Sequence, residues 1–470
     1  MRSKPLPLSL LALSVVFPLF GDKPDILVYL SDDHSQFDSS LYGAADIPTP
    51  NFEKLAAQGM HFTHAYVASP SCAPSRAAML TGLFPARNGA EGNHTYPHPG
   101  TRSLIANLKD VGYEVVAIGK VSHGNNHNLK FDYGFDLKKP AHSIETLRKE
   151  VIQYLDTVKR DKPICLFVGT TNPHVPWPER TTFDPSVLKL PPDYIDTPAT
   201  RRFRARYYQE IHELDAFLGE LLELKNRYLG DNTLFIHTSD HGSQVPFGKW
   251  TLYDYGTRVP FIVAWQNRIQ AKTKSKAFIS WVDLLPTLID AAGGEIPSGI
   301  DGRSFLPILT GEAIEHRKRI FTTHTSDKSM NLYPSRAIRT PDWKLIHNLH
   351  PEFAFTTHSD LLRRDHCCEY WTEWIEYGKQ DPKAQAIIDR YYQRPEFELY
   401  KVEEDPYETN NLAEDPAYAD IVKQLKSQLD AWRESQNDNG RYAAPPHPID
   451  KPETWHPNFH QHRLAQRTAK

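Results

Sequence analysis

The sequence predicts an α/β protein with a large, mostly parallel sheet flanked by helices, followed by a smaller C-terminal α+β unit built on a short antiparallel sheet. Two observations support this prediction. Short continuous apolar runs, typical of strands buried in a parallel sheet, alternate with amphipathic segments typical of helices. Beyond Gly311 the runs become shorter and richer in aromatic residues, as is typical of antiparallel strands.

The elements of the first unit follow in chain order. We predict strands at 25–30, 60–67, 113–119, 163–169, 231–239 and 259–265, and helices at 50–59, 102–112, 200–229 and 280–293. The first strand, D-I-L-V-Y-L, ends abruptly in S-D-D-H. Ligands of open α/β sheets bind beyond the carboxyl ends of the strands, so we expect functional side chains there.

The second unit is predicted from R-A-I-R-T-P-D-W-K-L-I-H and F-E-L-Y-K-V, with a terminal helix around 417–435. A chain of 470 residues exceeds the usual size of one domain. We place an N-terminal domain at 22–315, a C-terminal subdomain at 316–442 and a tail, rich in Pro and His, at 443–470.

Residues 1–21 carry basic residues followed by an apolar run over 8–20. This pattern predicts a signal peptide cut near Gly21, and therefore export to a periplasm or to the outside of the cell. The apolar run is too short to span a bilayer comfortably, so no membrane span is expected in the mature chain.

Composition narrows the class of partner. The formal net charge is −4, which gives no reason to expect nucleic acid or a membrane surface, so an anionic polymer would need a local basic pocket. The four cysteines, Cys72, Cys165, Cys367 and Cys368, are too few for a disulfide scaffold. Cys165 is expected in the core. The adjacent pair could bond elsewhere or stay reduced, and the sequence leaves this open.

The segment S-C-A-P-S-R-A-A-M-L-T-G, from Ser71 to Gly82, contains Cys72. Pro74 and the capping residue Ser75 predict a helix start, with Arg76 in the first turn. Such a helix start attracts anions, and it would lower the pKa of the Cys72 thiol. An incidental buried cysteine before an ordinary helix is the alternative.

C-x-P-S-R followed by small residues and L-T-G resembles the signature of the type I sulfatases of the alkaline phosphatase superfamily, in which this cysteine is oxidised to formylglycine. The later text E-L-Y-K-V-E-E-D-P-Y-E-T-N-N-L-A resembles their closing subdomain. The resemblance covers nearly the whole mature chain and is nearest to the heparan N-sulfatase and iduronate 2-sulfatase groups. It implies maturation of Cys72 by a formylglycine-generating enzyme or an anaerobic maturase.

Three acids point to a metal site. Asp32 and Asp33 follow one predicted strand and Asp240 follows another. Neighbouring carboxylates repel each other unless a cation lies between them, and oxygen ligands suit a hard cation. A single strand-end aspartate is as readily explained as a turn or a helix cap. The resemblance implies one Ca²⁺, bound by these acids together with His241 and the formylglycine at position 72.

Further residues match the catalytic positions of the resembled family. Lys120 and His123 lie in G-K-V-S-H-G, although each could also be a solvated loop residue. His174 lies in N-P-H-V-P-W, a proline-rich loop where a core role is hard to explain, and Lys249 lies in P-F-G-K-W, where a lysine after a glycine is common. The resemblance implies that Lys120, Lys249 and the metal neutralise the sulfate charge. It also implies that His174 protonates the leaving group, while His123 takes a proton from the nucleophilic residue so that sulfate is expelled.

The substrate is less well defined by the sequence. His94, His98, Arg363 and Arg364 could line a sugar pocket, or could equally lie in surface loops. The resemblance implies a sulfated polysaccharide or its oligosaccharides, carrying sulfate esters or sulfamates. Two alternatives remain open: a phosphonate or phosphate-ester hydrolase of the same superfamily, and a non-catalytic relative that binds sulfated glycans.

Overall fold

The computed structural model describes residues 23–123, 130–135, 143–328, 330–363 and 367–442. The predicted signal peptide, the tail at 443–470 and Arg364 lie outside the described residues, so these predictions remain untested. Within the described part of the chain, every helix is too short or too polar to cross a membrane.

A mixed sheet of eight described strands forms the centre of the first unit, in the order β5-β4-β6-β1-β7-β8-β2-β9. The pairs from β5 to β7 are parallel, whereas β8 runs antiparallel to both β7 and β2. The strands of this sheet are β1 (Asp25–Ser31), β2 (Met60–Phe62), β4 (Glu114–Gly119), β5 (Tyr133–Phe135), β6 (Ile164–Gly169), β7 (Thr233–Ser239), β8 (Phe261–Ala264) and β9 (Thr273–Ser275), and β3 (Ala65–Tyr66) and β10 (Ile279–Ser280) form a separate pair.

Helices cover both faces of this sheet. Successive side chains of a strand point to opposite faces, and on β1 Ile26 and Val28 join one apolar cluster while Leu27 and Tyr29 join another. The helices of the first unit are α1 (Pro50–Gln58), α2 (Cys72–Thr81), α3 (Pro85–Asn88), α4 (Leu104–Asp110), α5 (Ile144–Thr157), α6 (Pro198–Leu224), α7 (Asp254–Thr257), α8 (Leu284–Ala291) and α9 (Leu306–Leu309). This arrangement confirms the predicted fold class.

A second sheet is antiparallel, in the order β11-β12-β13-β14. Apolar side chains on one face, such as Leu345, pack against α13, and those on the other, such as Tyr400, join an aromatic cluster with α6, α11 and α12. The elements are β11 (Ile320–Asp327), β12 (Asn331–Arg339), β13 (Trp343–Asn348), β14 (Phe397–Lys401), α10 (His358–Leu362), α11 (Tyr370–Gly378), α12 (Pro382–Tyr392) and α13 (Ala419–Ser435).

The pairing of β11 with β12 is irregular near its far end. His324 pairs with Ser335, but Ser326 pairs with Leu332, so β12 carries one more residue than β11 between these two pairs. The extra stretch of β12 includes Pro334, which has no N–H to donate to a sheet ladder. A bulge of this kind bends the strand pair and increases its twist.

Two predicted elements differ in the structure. The single strand expected at 60–67 is divided, because β2 pairs with β8 and β9 whereas β3 pairs with β10 in a separate sheet. The long helix starts at Pro198 rather than residue 200, since Pro198 suits the first helical position and the Thr197 hydroxyl accepts a hydrogen bond from Thr200 N–H at 3.2 Å. Beyond Leu224 it continues as a wider turn over Lys225–Leu229.

Candidate active site

The candidate site lies at the carboxyl ends of β1 and β7, which are adjacent and parallel. Ser31 pairs with Ser239 at the last position of the two strands. The next residues, Asp32 and Asp240, are therefore neighbours, and Asp240 N–H donates a hydrogen bond to Ser31 O at 3.2 Å. The fold thus brings the three predicted acids to one edge of the sheet.

A buried group of four side chains fits a metal ion. Asp32, Asp33, Cys72 and His241 each offer one ligand atom, and these atoms all lie within 4.8 Å of one another. His241 Nε2 is 3.3 Å from both Cys72 Sγ and Asp33 Oδ1. Because His241 Nδ1 lies 2.9 Å from Gly242 O, the proton belongs on Nδ1 and the Nε2 lone pair faces the cluster.

Asp240 lies at the margin of this cluster. Its Oδ2 accepts a hydrogen bond from Arg76 Nε at 2.9 Å, and its Oδ1 accepts one from Asp33 N–H at 3.1 Å. Oδ1 is also 3.7 Å from His241 Nε2. Asp240 therefore faces the predicted metal position while being held by the protein on its outer side.

The neighbouring cations of the protein outweigh the effect of burial for only one of the three carboxyl groups. Burial, together with Asp32 and Asp240, raises the pKa of Asp33 to about 7 despite the neighbouring Lys249. Burial also raises the pKa of Asp240 to about 6, against the opposing effect of Arg76. For Asp32, the neighbouring Lys120, His174, Arg76 and Lys249 together outweigh burial, so the pKa of this carboxyl lies well below its usual range. A divalent cation bound here would oppose the effect of burial on Asp33 and Asp240 and would favour their ionised forms, which are the ligating forms.

The helix that carries Cys72 starts earlier than predicted. It begins at Cys72 itself, so Ser75 is not the capping residue and Arg76 lies in the second turn. The Ser75 hydroxyl instead donates a hydrogen bond to Asp240 O. The predicted lowering of the thiol pKa is also wrong, because complete burial outweighs Lys120 and Lys249 and raises the pKa of Cys72 to about 12.

Arg76 is buried and anchors the helix α2 to the sheet. Its guanidinium donates to Asp240 Oδ2, to Lys120 O and to Val121 O, the last at 3.3 Å. Arg76 Nη2 is 3.7 Å from Asp32 Oδ1. These contacts hold the end of β4, the end of β7 and the start of α2 in a fixed relation.

Two lysines and a histidine surround the cluster. Lys120 Nζ donates to Asp32 Oδ2 and lies 3.8 Å from Cys72 Sγ. Lys249 Nζ lies 2.9 Å and 3.0 Å from the two oxygens of Asp33. His174 Nε2 is 3.8 Å from Asp33 Oδ2, and its Nδ1 is 2.6 Å from Val175 O. Burial and Lys249 hold the pKa of His174 well below its usual range.

Of the other residues predicted for the site, His123 and His94 contact each other, whereas His98 and Arg363 make their contacts elsewhere. His123 Nε2 lies 2.7 Å from His94 Nδ1, so the structure brings His94 to the loop of Lys120 and His123. Burial lowers the pKa of His123 to about 3. His98 is turned toward the backbone of Gly89, and Arg363 Nε donates to Asp360 O within its own helix, so the recorded contacts of both are outside the cluster.

The sequence analysis missed a hydrogen-bonded network that supports α2. Asn93 Oδ1 accepts a hydrogen bond from Ala73 N–H at 3.1 Å, and its Nδ2 donates to Asp327 Oδ2 at 2.9 Å. Trp250 Nε1 donates to the same oxygen at 3.1 Å, and His94 Nε2 is 3.6 Å from Asp327 Oδ1. Asp327 belongs to the second sheet and is far from Asn93 along the chain. No local sequence pattern therefore indicates that the two side chains interact.

Comparison with protein families gives two matches. Residues 24–294 match the family described as sulfatase. Residues 242–359 match the family described as N-sulphoglucosamine sulphohydrolase, C-terminal. The first match alone extends over more than half of the chain and includes the candidate site.

Curated relatives agree with this assignment. The chain is 33% identical to an ulvan-active sulfatase of Formosa agariphila, over 89% of this chain and 81% of the relative. It is 28% identical to the human N-sulphoglucosamine sulphohydrolase, over 91% of this chain and 93% of the human protein.

Solved structures show the same fold. A protein solved in complex with its substrate D-glucosamine-2-N,6-O-disulfate has a TM-score of 0.68 at 21% identity, covering 89% of this chain and 99% of its own. The phosphonate monoester hydrolase of Silicibacter pomeroyi has a TM-score of 0.67 at 19% identity, covering 89% of this chain and 96% of its own. Because proteins with different names share the architecture at such low identity, this likeness concerns the fold alone.

Proposed function

Because the chain belongs to the sulfatase family, we propose that it hydrolyses sulfate esters or sulfamates of a sulfated polysaccharide or its oligosaccharides, with a formylglycine made from Cys72 as the nucleophile. The chain is a sulfatase, and its relatives act on sulfated sugars. The observation that carries the finer proposal is the position of Cys72, whose Sγ lies 3.3 Å from His241 Nε2 and 3.8 Å from Lys120 Nζ.

The state of the thiol supports modification of Cys72. A cysteine acts as a nucleophile through its thiolate. Burial raises the pKa of Cys72 to about 12, so an unmodified thiol would be almost wholly protonated at neutral pH. An aldehyde at this position, once hydrated, would supply two hydroxyl groups on one carbon without requiring a thiolate.

The donor set also supports a metal ion. Asp32, Asp33 and Asp240 offer hard oxygen ligands, and His241 offers a neutral nitrogen whose lone pair is already directed into the cluster. We propose that these residues, together with the modified residue 72, bind one Ca²⁺. When bound, the ion would supply positive charge that polarises an oxygen and offsets the charge of the sulfate group.

The side chains around the cluster define how substrate would be held. Lys120 pairs with Asp32 and Lys249 pairs with Asp33, and each lysine can turn one N–H toward the oxygens of a bound sulfate. His174 is neutral in the free enzyme because burial and Lys249 lower its pKa. A sulfate group beside its Nε2 would favour the protonated form, and that proton would then be given to the departing oxygen or nitrogen.

His123 has a separate role in the proposal. It lies in the loop after β4 with Lys120, and burial lowers its pKa to about 3, so the ring is neutral in the free enzyme. A bound sulfate would raise this pKa and so make the ring a better proton acceptor. We assign to it the acceptance of a proton from residue 72 as sulfate is released. His94, whose Nδ1 is 2.7 Å from His123 Nε2, would fix the orientation of that ring.

The test is sulfate release from defined N-, 2-O- and 6-O-sulfated saccharides, using protein whose conversion at position 72 has been established by peptide mass. Release from N-sulfoglucosamine alone would identify a sulfamidase, and release from one O-sulfated sugar alone would identify a carbohydrate O-sulfatase. Preferential cleavage of phosphonate or phosphate monoesters at equal concentration would favour the alternative hydrolase. Binding of every saccharide without release by fully converted protein would favour the non-catalytic relative.

Export belongs to the same proposal. The basic and then apolar segment at 1–20 supports a secreted or periplasmic location. Fractionation of cells expressing the full chain tests this, because retention of the uncleaved chain in the cytoplasm would contradict it.

A further inference from the structure

Two adjacent cysteines lie beside the candidate active site, in the turn before α11. Cys367 and Cys368 are 8% and 0% exposed, and their Sγ atoms are 2.9 Å apart. Ordinary contacts between nonbonded heavy atoms lie at about 3.5–4.0 Å. We propose that Cys367 and Cys368 form a vicinal disulfide, and that its formation weakens the contacts that hold Lys249.

No other pairing competes within the chain. The remaining two of its four cysteines are Cys72, at the start of α2, and Cys165, inside the central strand β6. Cys72 Sγ has His241 and Lys120 as its neighbours, and Cys165 is fully buried in the sheet. Both cysteines are thiols in the structure, and each is the nearest cysteine with which the other could form a bond.

The bond would do little for global stability. A disulfide stabilises mainly by restricting the unfolded chain, and the effect grows with the length of the closed loop. Here the closed ring would contain only Cys367 and Cys368. Such a bond has its effect on nearby contacts rather than on the free energy of unfolding.

The nearby contacts lead to the catalytic lysine in two ways. Gln244 Nε2 donates to Cys367 Sγ at 3.7 Å, and Lys249 Nζ donates to Gln244 Oε1 at 3.4 Å. The Cys368 thiol donates to His358 O at 3.4 Å, and the His358 ring stacks on Trp250, the residue after Lys249, with centroids 5.0 Å apart.

The chemistry requires an external disulfide as oxidant. The Cys367 thiolate, the more exposed of the pair, attacks one sulfur of a small disulfide and releases one thiolate, leaving a mixed disulfide. The Cys368 thiolate then attacks the sulfur of Cys367 and releases the second thiolate. Two protons from the cysteines end on the two released thiols, so the pair is oxidised by two electrons and the small disulfide is reduced by two.

Ring closure has a defined local consequence. It draws the Cys367 sulfur toward Cys368 and removes the S–H that donates to His358 O. The amide of Gln244 then loses its acceptor and holds Lys249 less firmly. We expect kcat/KM for sulfate release to fall about fivefold, because the loss of one ordinary hydrogen bond has an effect of this size. This expectation rests on the proposed sulfatase activity.

The experiment uses the full chain incubated with 2-hydroxyethyl disulfide, then denatured, alkylated and analysed by peptide mass. The wild type should yield a peptide containing Cys367 and Cys368 that is two hydrogens lighter and resists alkylation. Cys368→Ser should instead accumulate a mixed disulfide at Cys367, because no second thiol can close the ring. Cys165→Ala, which removes a buried cysteine elsewhere, should behave like the wild type.

Each outcome decides a separate point. Alkylation of both Cys367 and Cys368 after incubation, or their bonding to another chain, would overturn the proposal. Unchanged kcat/KM in protein with the ring closed would overturn the link to Lys249. A closed ring in protein that is fully converted at position 72 but releases no sulfate before or after reduction would refute the proposed sulfatase reaction and leave the disulfide standing, because the mass measurement does not depend on turnover.

Discussion

Replacing Asn93 with alanine should slow turnover as well as weaken the fold. The change removes the acceptor of Ala73 N–H in the first turn of α2 and the donor to Asp327 Oδ2. Loss of a helix-capping acceptor costs about 1 kcal/mol, and loss of a hydrogen bond to a charged group costs about 1.5–3 kcal/mol. Asp327 keeps Trp250 as a donor, so part of the second loss is recovered.

We therefore expect the free energy of unfolding to fall by about 2–3 kcal/mol. Displacement of α2 should separately raise the activation barrier by about 1.4 kcal/mol, which corresponds to a tenfold fall in kcat. The fall should appear in kcat more than in KM, because α2 carries the nucleophilic residue rather than the sugar contacts.

The assay is steady-state sulfate release, with urea unfolding and peptide mass at position 72 measured on the same preparation. The matched control is Asn107→Ala. Asn107 is also buried and makes two side-chain hydrogen bonds, to Ser103 O and from Arg102 Nε, but both are local to α4. If Asn93→Ala kept the kcat of the control at equal formylglycine content, the positioning role of Asn93 would be refuted.

Three further predictions follow from the site and the core. Cys72→Ala should abolish sulfate release and keep the unfolding midpoint, and comparable turnover would contradict the mechanism. His241→Ala should weaken Ca²⁺ binding, measured by calorimetry, by about 10–100-fold, although the ion would still have its carboxylate ligands; unchanged affinity would remove His241 from the ligand set. Asp283→Asn should lower the free energy of unfolding by about 3–5 kcal/mol, because it leaves the buried Arg317 unpaired. Arg317 and His316 together outweigh burial and hold the pKa of Asp283 well below its usual range, so this difference should be complete above pH ~4, the ordinary pKa of an aspartate, and should shrink steadily as the pH falls below it; a difference that stays constant below pH ~4 would contradict the assignment.

The sequence predicted correctly the site residues that directly follow the carboxyl ends of buried strands. The apolar run ending in S-D-D-H predicted that Asp32 and Asp33 lie at the carboxyl edge of a sheet, and β1 ends at Ser31. Asp240 followed from the same reasoning, because β7 is also a buried run with a polar end. These inferences need only the rule that parallel strands end on the same side.

Details that depend on tertiary packing were not predictable. The thiol pKa of Cys72 was expected to fall at a helix start, but the expectation neglected burial, which dominates here. The start of α2 was placed too late, because Pro74 and Ser75 satisfy the usual rules for a helix start even though the helix begins at Cys72. The partnership of Asn93 with Asp327 joins residues of two different sheets, and no local pattern records it.

The bulged pairing of β11 and β12 bears on how variants with new specificity can be built. Asp327 is the last residue of β11, pairs with Asn331, and reaches Asn93 and Trp250 from the second sheet. Deleting Pro334 would remove the extra residue of β12, so the strands could pair without the bulge and would lose the bend and added twist that it gives to the end of the hairpin where Asp327 lies. A chimaera that exchanges C-terminal segments between relatives should therefore transfer β11 and β12 as one block. Libraries that vary length within this hairpin would disturb the nucleophile helix from a distance, through Asp327 and Asn93.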